Sequence, residues 1–444
     1  MNAVAAVDWE QPILGSGFNL SKGGTNKLTL RSTNALGTLS VLAGILDARG
    51  SNSIGQVNVA GGGALAYAGT STPFGAATIN LSNGAIFGQS ASIGTTLSDR
   101  IIPNKFNLLG DVKFGIGAAT GSGGFASHLS GNVDLRGANR TLTIANATYL
   151  YGVVTNGGLV VDRLSTDELS TKTLGLYGAN SYSGGTTVSG SVGYVNNPIL
   201  QLGNDSALGS GDLTLAGGGS LIVKAVSKAD DIYNASRIIT NSISIASGVS
   251  GVFDAGTNTV TSLDGLLSGI EVTNNMTLRG VVSGQGSLVK TNSGSLTLAG
   301  TPSYEGGTTV ADGNLIVVKT NLTTTISSNT VFIAMSNNVV AGTYPVLPGE
   351  LTGTYPAATY SGPIGATATF NETTGLVTVT TVGPVTDGYS LYLSSNGLPA
   401  DTAFDSKVNG VTVGLKYAFG SANGMPQNNG VTALPVVGGN QLTT

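Results

Sequence analysis

The chain contains a single histidine, His128, in 444 residues, so any serine, histidine and carboxylate relay must be built around it. Its surroundings, FASHLSG, supply neither a sharp nucleophile elbow nor an acid placed to orient the ring. With no cysteine anywhere, a lone imidazole also lacks the partners of a transition-metal site, and His128 reads as a cap or solvated residue. GIGAATG, Gly115 to Gly121, follows the strand-like DVKF but runs on into SGGFASHLSG rather than a helix. No helix N-terminus would therefore meet a pyrophosphate, and corner glycines account for the motif. The acidic residues offer more chemistry. Asp212 and Asp231 lie one coil length apart if the chain coils about every twenty residues, as do Asp205 and Lys224, and paired carboxylates on adjacent coils would suit glycoside cleavage. Against this, SKADDIYNASR reads as a solvated loop, and the basic residue beside calcium-binding acids that a lyase wants is missing. A second group, Asp162, Arg163, Asp167 and Glu168, reads as a polar surface insertion, which is where a solenoid would carry a binding site. No catalytic residue, cofactor or metal ligand is assigned.

The elements that must position these residues follow from composition and repetition. Charged residues make up 9% of the chain, aromatics 6%, apolar residues 40%, and there are 68 glycines. The apolar residues fall in short Val, Leu and Ile runs, which argues for strands rather than disorder. A formal charge of −4 gives no electrostatic footprint for nucleic acid or an anionic membrane. Apolar runs such as VLAGIL, from Val41, are too short to span a bilayer, and MNAVAAVDWEQPILG lacks a basic start and apolar core, so no signal peptide is read.

Phrases recur along the chain. YSGGTTV at Tyr182 to Val188 returns as YEGGTTV at Tyr304 to Val310, and LYGVVTNGGLVV from Leu150 parallels LRGVVSGQGSLV from Leu278. SIGQVNVAGGGAL, PFGAATINLSNGAI and ALGSGDLTLAGGGSL share one construction, as do LSKGGTNKLTL from Leu20 and LVKTNSGSLTL from Leu288. Gly37, Gly55 and Gly75 fall about twenty residues apart, a coil length typical of solenoids. Alternating pairs such as Val57 and Val59, Leu213 and Leu215, Leu296 and Leu298 put apolar side chains on one face and Asn, Thr or Ser on a wet one. In YSGGTTV, Gly184 and Gly185 make a corner, taking positive φ and letting coils approach without Cβ clashes. Thr186 and Val188 then share a face of the next strand and Tyr182 covers the coil junction. The exchange of Ser183 for Glu305 marks a position that faces water.

These residues resemble the autotransporter-associated β-strand repeat. Gly286, Leu288, Lys290, Gly294, Leu296, Leu298, Gly300, Tyr304, Gly306, Gly307, Thr308 and Val310 follow its pattern in order, and Gly178, Asn180, Tyr182, Gly184, Gly185, Thr186 and Val188 match in the other copy. The resemblance covers roughly residues 18 to 320 and implies a right-handed β-helix at a bacterial surface; the membrane barrel usual in that class is not read in this chain. The C-terminal stretch resembles a short module of large surface proteins of Verrucomicrobia-like bacteria, with Asp405, Asn409, Gly410, Tyr417 and Ala418 in place. Lys407, Val413 and Lys416 replace oxygen ligands there, so no calcium site is expected.

The expected protein is all-β: a right-handed parallel β-helix with a C-terminal β cap and a small, partly helical C-terminal module. Its divisions are a lead-in over 1–17, the solenoid over 18–320, a capping β region over 321–383 with antiparallel strands, and the module over 384–444. The expected role is a non-catalytic structural or adhesive protein, extracellular or on the outer surface of a Gram-negative-type bacterium. Its expected partners are polysaccharide, neighbouring surface proteins or further copies of itself. A polysaccharide-degrading β-helix is the alternative.

Overall fold

The computed structural model describes residues 5–381 except 92, 94–100, 117–124, 164–171, 193–196, 228–235, 261–269 and 364, together with 407–408, 411–412, 436–438 and 441–443. Every regular element among the described residues is a β-strand, and none is a helix long and apolar enough to cross a membrane. Two-residue alternation sets the architecture, because it can bury one side of each strand only if the chain winds round a common interior. The strand Thr78–Leu81 (TINL) alternates half-buried and buried positions, and Leu213–Ala216 (LTLA) does the reverse.

The chain is a parallel β-helix. Leu28, Leu46, Leu65, Phe87, Phe114 and Ile144 stand on one another across six successive coils, and all are fully buried. Strands pair in parallel into sheets of 18 and ten strands and, from Ser236 onward, a seven-stranded third sheet. The long strands Val133–Ile144 and Val154–Arg163 run round a corner of the first sheet, their register slipping between Asp134 and Ala138. Coil length is not constant: Asn34 bonds Asn52, 18 residues on, whereas Asn241 reaches back 30 residues to Gly211. The twenty-residue spacing thus holds for early coils and again for late ones, where Met276 pairs with Leu296 and Leu288 with Thr308, while coils between them run longer; Gly55 sits over Gly37, but Gly75 lands on Asn52.

The outer faces are not uniformly wet. In Gly63–Tyr67 all five residues are buried. The outward Ala64 and Ala66 pack with Ile116, flanked by Ile45 and Ile86. On the same covered side Asp47 is fully buried, bonded by the Ser90 hydroxyl at 2.8 Å and the Arg49 guanidinium at 2.9 Å. The alternation reading fails here because Ile116, remote in sequence, lies over the strand.

Corners leave backbone groups without a ladder partner, and buried asparagines supply one. Asn52 accepts from Asn34 N at 2.9 Å and Asn34 Nδ2 at 2.8 Å, and donates to Gly50 O at 2.9 Å and Pro73 O at 2.6 Å. Asn104 donates to the carbonyls of Gly75 and Ala77 in the coil before it. Inside, Tyr67 stacks on Phe87 with ring centroids 5.3 Å apart, and Phe106 meets Phe87 edge-on at 5.0 Å, a geometry that aromatic quadrupoles favour.

Beyond Asn314–Lys319 the pairing turns antiparallel, with Leu322–Ser327 and then Val331–Met335 added in sequence. Gly342–Pro345, Leu376–Thr381 and Thr367–Asn371 form a separate antiparallel sheet. These strands meet the final coil, where Leu351–Thr352 pairs with Thr308–Val310, and so occupy a sheet edge that would otherwise template association. In the C-terminal stretch the described pieces are two short antiparallel pairs, Lys407–Val408 with Val411–Thr412 and Val436–Gly438 with Gln441–Thr443. The helical content expected there is not seen among the described residues. Asp405, Asn409, Gly410, Tyr417 and Ala418, with the calcium-type loop they belong to, lie outside them.

Replacing Asn52 with Leu strands two donors and two acceptors. The expected loss is on the order of 3 kcal/mol, measured by urea denaturation against wild type.

Candidate functional site: the repeat corner

The recurring phrase marks a corner whose parts do separate work. Tyr182 and Tyr304 are fully buried. Each phenol lies 2.6 Å from the hydroxyl of a threonine four residues on, Thr186 and Thr308 respectively. Burial pushes both phenols well above their ordinary pKa, so they remain neutral hydrogen-bonding groups. The tyrosine was expected over the coil junction; it lies inside because its one polar atom is paired within the corner, which lets the ring join the core. Thr186 and Thr308 donate their amides to the next coil, to Asp212 O and Glu350 O, each at 2.8 Å. Val188 and Val310 complete the buried side.

The glycine pair divides its work. Gly184 N donates to Gly157 O at 2.7 Å and Gly306 N to Gly286 O at 3.1 Å. A Cβ on Gly184 would come within 2.6 Å of Asn139 Oδ1, and one on Gly306 within 2.5 Å of Gly286 O. The second glycine of each pair is different: Gly185 takes φ +79°, whereas Gly307 has ordinary φ and its nearest Cβ neighbour would be 3.3 Å away. Of these four glycines only Gly185 has the left-handed backbone expected for the corner; close stacking accounts for Gly184 and Gly306. Ser183 and Glu305 are both exposed, which explains why that position varies.

The same close approach runs along the neighbouring corner. A Cβ on Gly131, Gly152 or Gly178 would fall 1.8 to 2.2 Å from the carbonyl oxygen of Asn104, Gly131 or Gly152. Each of these glycines sits two residues after an inward leucine, in LSG, LYG and LYG. Asn180, two residues further on, accepts from Val154 N at 2.7 Å and donates to Ala207 O at 2.6 Å; in the second copy the buried Pro302 replaces it.

Lys22 and Lys290, third in LSKGG and LVKTN, are both fully buried. Lys22 Nζ donates to the carbonyls of Gly23, Gly24 and Ala43 at 2.8 to 2.9 Å. Lys290 Nζ donates to Thr291 O at 2.6 Å, Asn292 O at 2.5 Å and Asp312 O at 3.2 Å. Left-handed residues, Gly24 and Asn292, turn those carbonyls inward. Desolvation pulls Lys290 down to about 8, with the charges of Asp312 and Asp254 opposing it. The family pattern flagged Lys290, but nothing in the residue type predicts a caged ammonium.

The charged candidates do not converge. Lys224 aligns with Gln201, not Asp205, and pairs with Asp254 at 3.3 Å. Asp205 instead accepts from Ile238 N at 3.0 Å. Asp212 is exposed, and Leu213 beside it stacks on Ile243; Asp231, Asp167 and Glu168 lie outside the described residues. Asp162 aligns with Thr143. His128 lies in an outer aromatic row, stacked on Tyr149 at 4.9 Å with Nδ1 3.1 Å from Tyr151 Oη. Gly115 takes φ +114° against Asn146, as a corner does, and the remainder of that glycine motif falls outside the described residues, apart from the buried Ile116.

These features define a parallel β-helix assembled from a recurring corner. The family described as Passenger-associated-transport-repeat matches at residues 171–190 and 288–317, the two stretches that hold Tyr182 with Gly184 and Tyr304 with Lys290. Over 146 residues, 32% of this chain, the sequence is 34% identical to a protein named Adhesin BmaC autotransporter, from Brucella suis biovar 1 (strain 1330). The matched stretch covers 3% of that relative's length. No solved structure matches. The chain thus carries passenger-type repeats.

The corner geometry predicts a contrast between adjacent glycines. Gly306→Ala should cost about 2 kcal/mol, because the added methyl meets backbone that cannot retreat. Gly307→Ala should change stability by less than about 0.5 kcal/mol. Equilibrium denaturation of both variants tests it.

Proposed function

We propose that this chain is a non-catalytic adhesive segment of a passenger-type protein, displayed on the outer surface of a Gram-negative-type bacterium. The observation that carries the reading is the placement of both matched repeats at solenoid corners whose repeated residues are absorbed in packing, which leaves the outer faces to do the contacting. The similarity to a protein named as an adhesin supports the same direction. Outward Ser, Thr and Asn rows suit contacts that are individually weak and gain strength by repetition along a rod and among many rods. Partners of that kind are polysaccharides or neighbouring surface proteins. Of the two pairings behind the polysaccharide-degrading alternative, Asp205 and Lys224 are not stacked, Lys224 aligning with Gln201, while Asp231, the partner of Asp212, lies outside the described residues.

The test is to fuse the chain to an unrelated outer-membrane barrel on a non-adherent bacterium. Retention on glycan-coated and protein-coated surfaces is then measured together with release of soluble sugar. The reading predicts retention at least several-fold above the barrel alone and no sugar release. Equal retention, or sugar release, contradicts it.

A further inference from the structure

One outer row differs from the rest. Ser21, Ser40, Asn58, Asn80, Asn107, Asp134 and Thr155 are register partners over seven consecutive coils, spaced by roughly 4.8 Å per coil. Their amides are chained, Asn80 Nδ2 to Asn58 Oδ1 at 2.8 Å and Asn107 Nδ2 to Asn80 Oδ1 at 2.7 Å. Asn80 keeps a second donor and a second acceptor site to offer outward, whereas Asn58 Oδ1 also accepts from Gln56 Nε2 at 2.9 Å and offers its own amide hydrogens.

The row ends at a cavity of about 580 Å³ lined by Asp134, Arg136, Asn139, Asn156 and Ser183, with glycine backbone at 137, 157 and 184. Two successive coils hold non-glycine residues there in left-handed backbone, Arg136 and Asn156, each at φ 58°. Such backbone is unfavourable for arginine and is concentrated at functional positions. Its effect is visible: Arg136 turns back so that its amide and guanidinium meet Asp134 at 2.8 and 3.3 Å, while Asn156 Nδ2 meets the same carboxylate at 3.1 Å. Desolvation raises the pKa of Asp134, but these hydrogen bonds outweigh it and the net shift is downward. The carboxylate is therefore an acceptor at neutral pH, fixed in place. Asn139 projects over Gly158 and Gly184, whose missing side chains make room for it.

We infer that this cavity and the asparagine row leading to it form a binding track for a linear, neutral, hydroxyl-rich polysaccharide laid along the solenoid axis. This rests on the adhesive reading and names its ligand. Fixed acceptors, amide donors and one guanidinium, set at regular intervals on a straight face, match a chain of sugar hydroxyls. Arg136 and Asp134 offset one another, so nothing favours a uronate or a phosphate backbone. Protein docking is disfavoured because the cavity lining has no aromatic or aliphatic anchor. A single carboxylate is too few for a calcium ion.

The experiment is retention of the purified chain in native gels cast with neutral polysaccharides (hydroxyethyl cellulose, xylan, mannan) and with acidic ones (alginate, polygalacturonate). Two variants accompany it. Arg136→Gly removes the guanidinium at a position where glycine is at ease, so its thermal midpoint should be unchanged or raised. Ser183→Trp fills the cavity from an exposed site that carries Glu305 in the other copy. The expected result is retardation by at least one neutral polysaccharide, weakened tenfold or more in both variants with the fold intact. Retardation by acidic polysaccharides alone, by none, or equally in the variants overturns the proposal. Adhesion of cells displaying the variants separates the two readings: if they adhere as well as wild type, this site is wrong and the adhesive reading stands. If purified protein binds neutral glycan but displayed wild type does not adhere, the site stands and the adhesive reading falls.

Discussion

Successive coils are tied by parallel backbone hydrogen bonds, so they stand about 4.8 Å apart wherever strands pair, and the corners must accept an approach of the same order. At Gly131, Gly152 and Gly178 the preceding coil's carbonyl occupies the space where a Cβ would be. Glycine is needed there for what it lacks rather than for the φ it permits. That constraint fixes the phase of these coils: an inward leucine, one residue, then the stacked glycine. Once the phase is fixed, the inner apolar columns and the outer polar rows follow without further instruction.

A chain that turns so often carries many backbone groups at corners, and burying them unpaired would cost more than the core returns. The structure meets this with side chains aimed inward: asparagines 52, 104 and 180 bridging coils, lysines 22 and 290 holding three carbonyls each, and tyrosines 182 and 304 paired to threonines. An ammonium surrounded by carbonyls is stabilised by charge-assisted hydrogen bonds, although desolvation lowers its pKa. The interior thus has polar seams at its corners and an apolar centre.

Much of this was legible in the residues. The apolar triplets VNV at Val57 and INL at Ile79 do stack, and their shared polar position does face outward. The exchange of Ser183 for Glu305 correctly located a wet position. Other features were hidden for physical reasons. The dry outer face of Gly63–Tyr67 depends on Ile116, which no local pattern connects to it. Lysine is almost never fully buried, so the cages of Lys22 and Lys290 are visible only once the convergent carbonyls are in place. Asp205 and Lys224 looked stacked because one coil length was assumed, whereas coil length varies and the longer coil there pairs Lys224 with Gln201 instead. The Asp134 cavity escaped notice because its members come from three coils, and Asp134, Arg136, Gly137 and Asn139 belong to no repeated phrase.

Native-state hydrogen exchange at the repeat corners tests the account most directly. If coil-to-coil bonding at the glycines organises the solenoid, the amides of Gly184 and Gly306, which donate to Gly157 O and Gly286 O, will be protected to the same degree as the core amide of Leu288. If they exchange like open loop while Leu288 stays protected, the corners are passive connections and the strands alone hold the coils together.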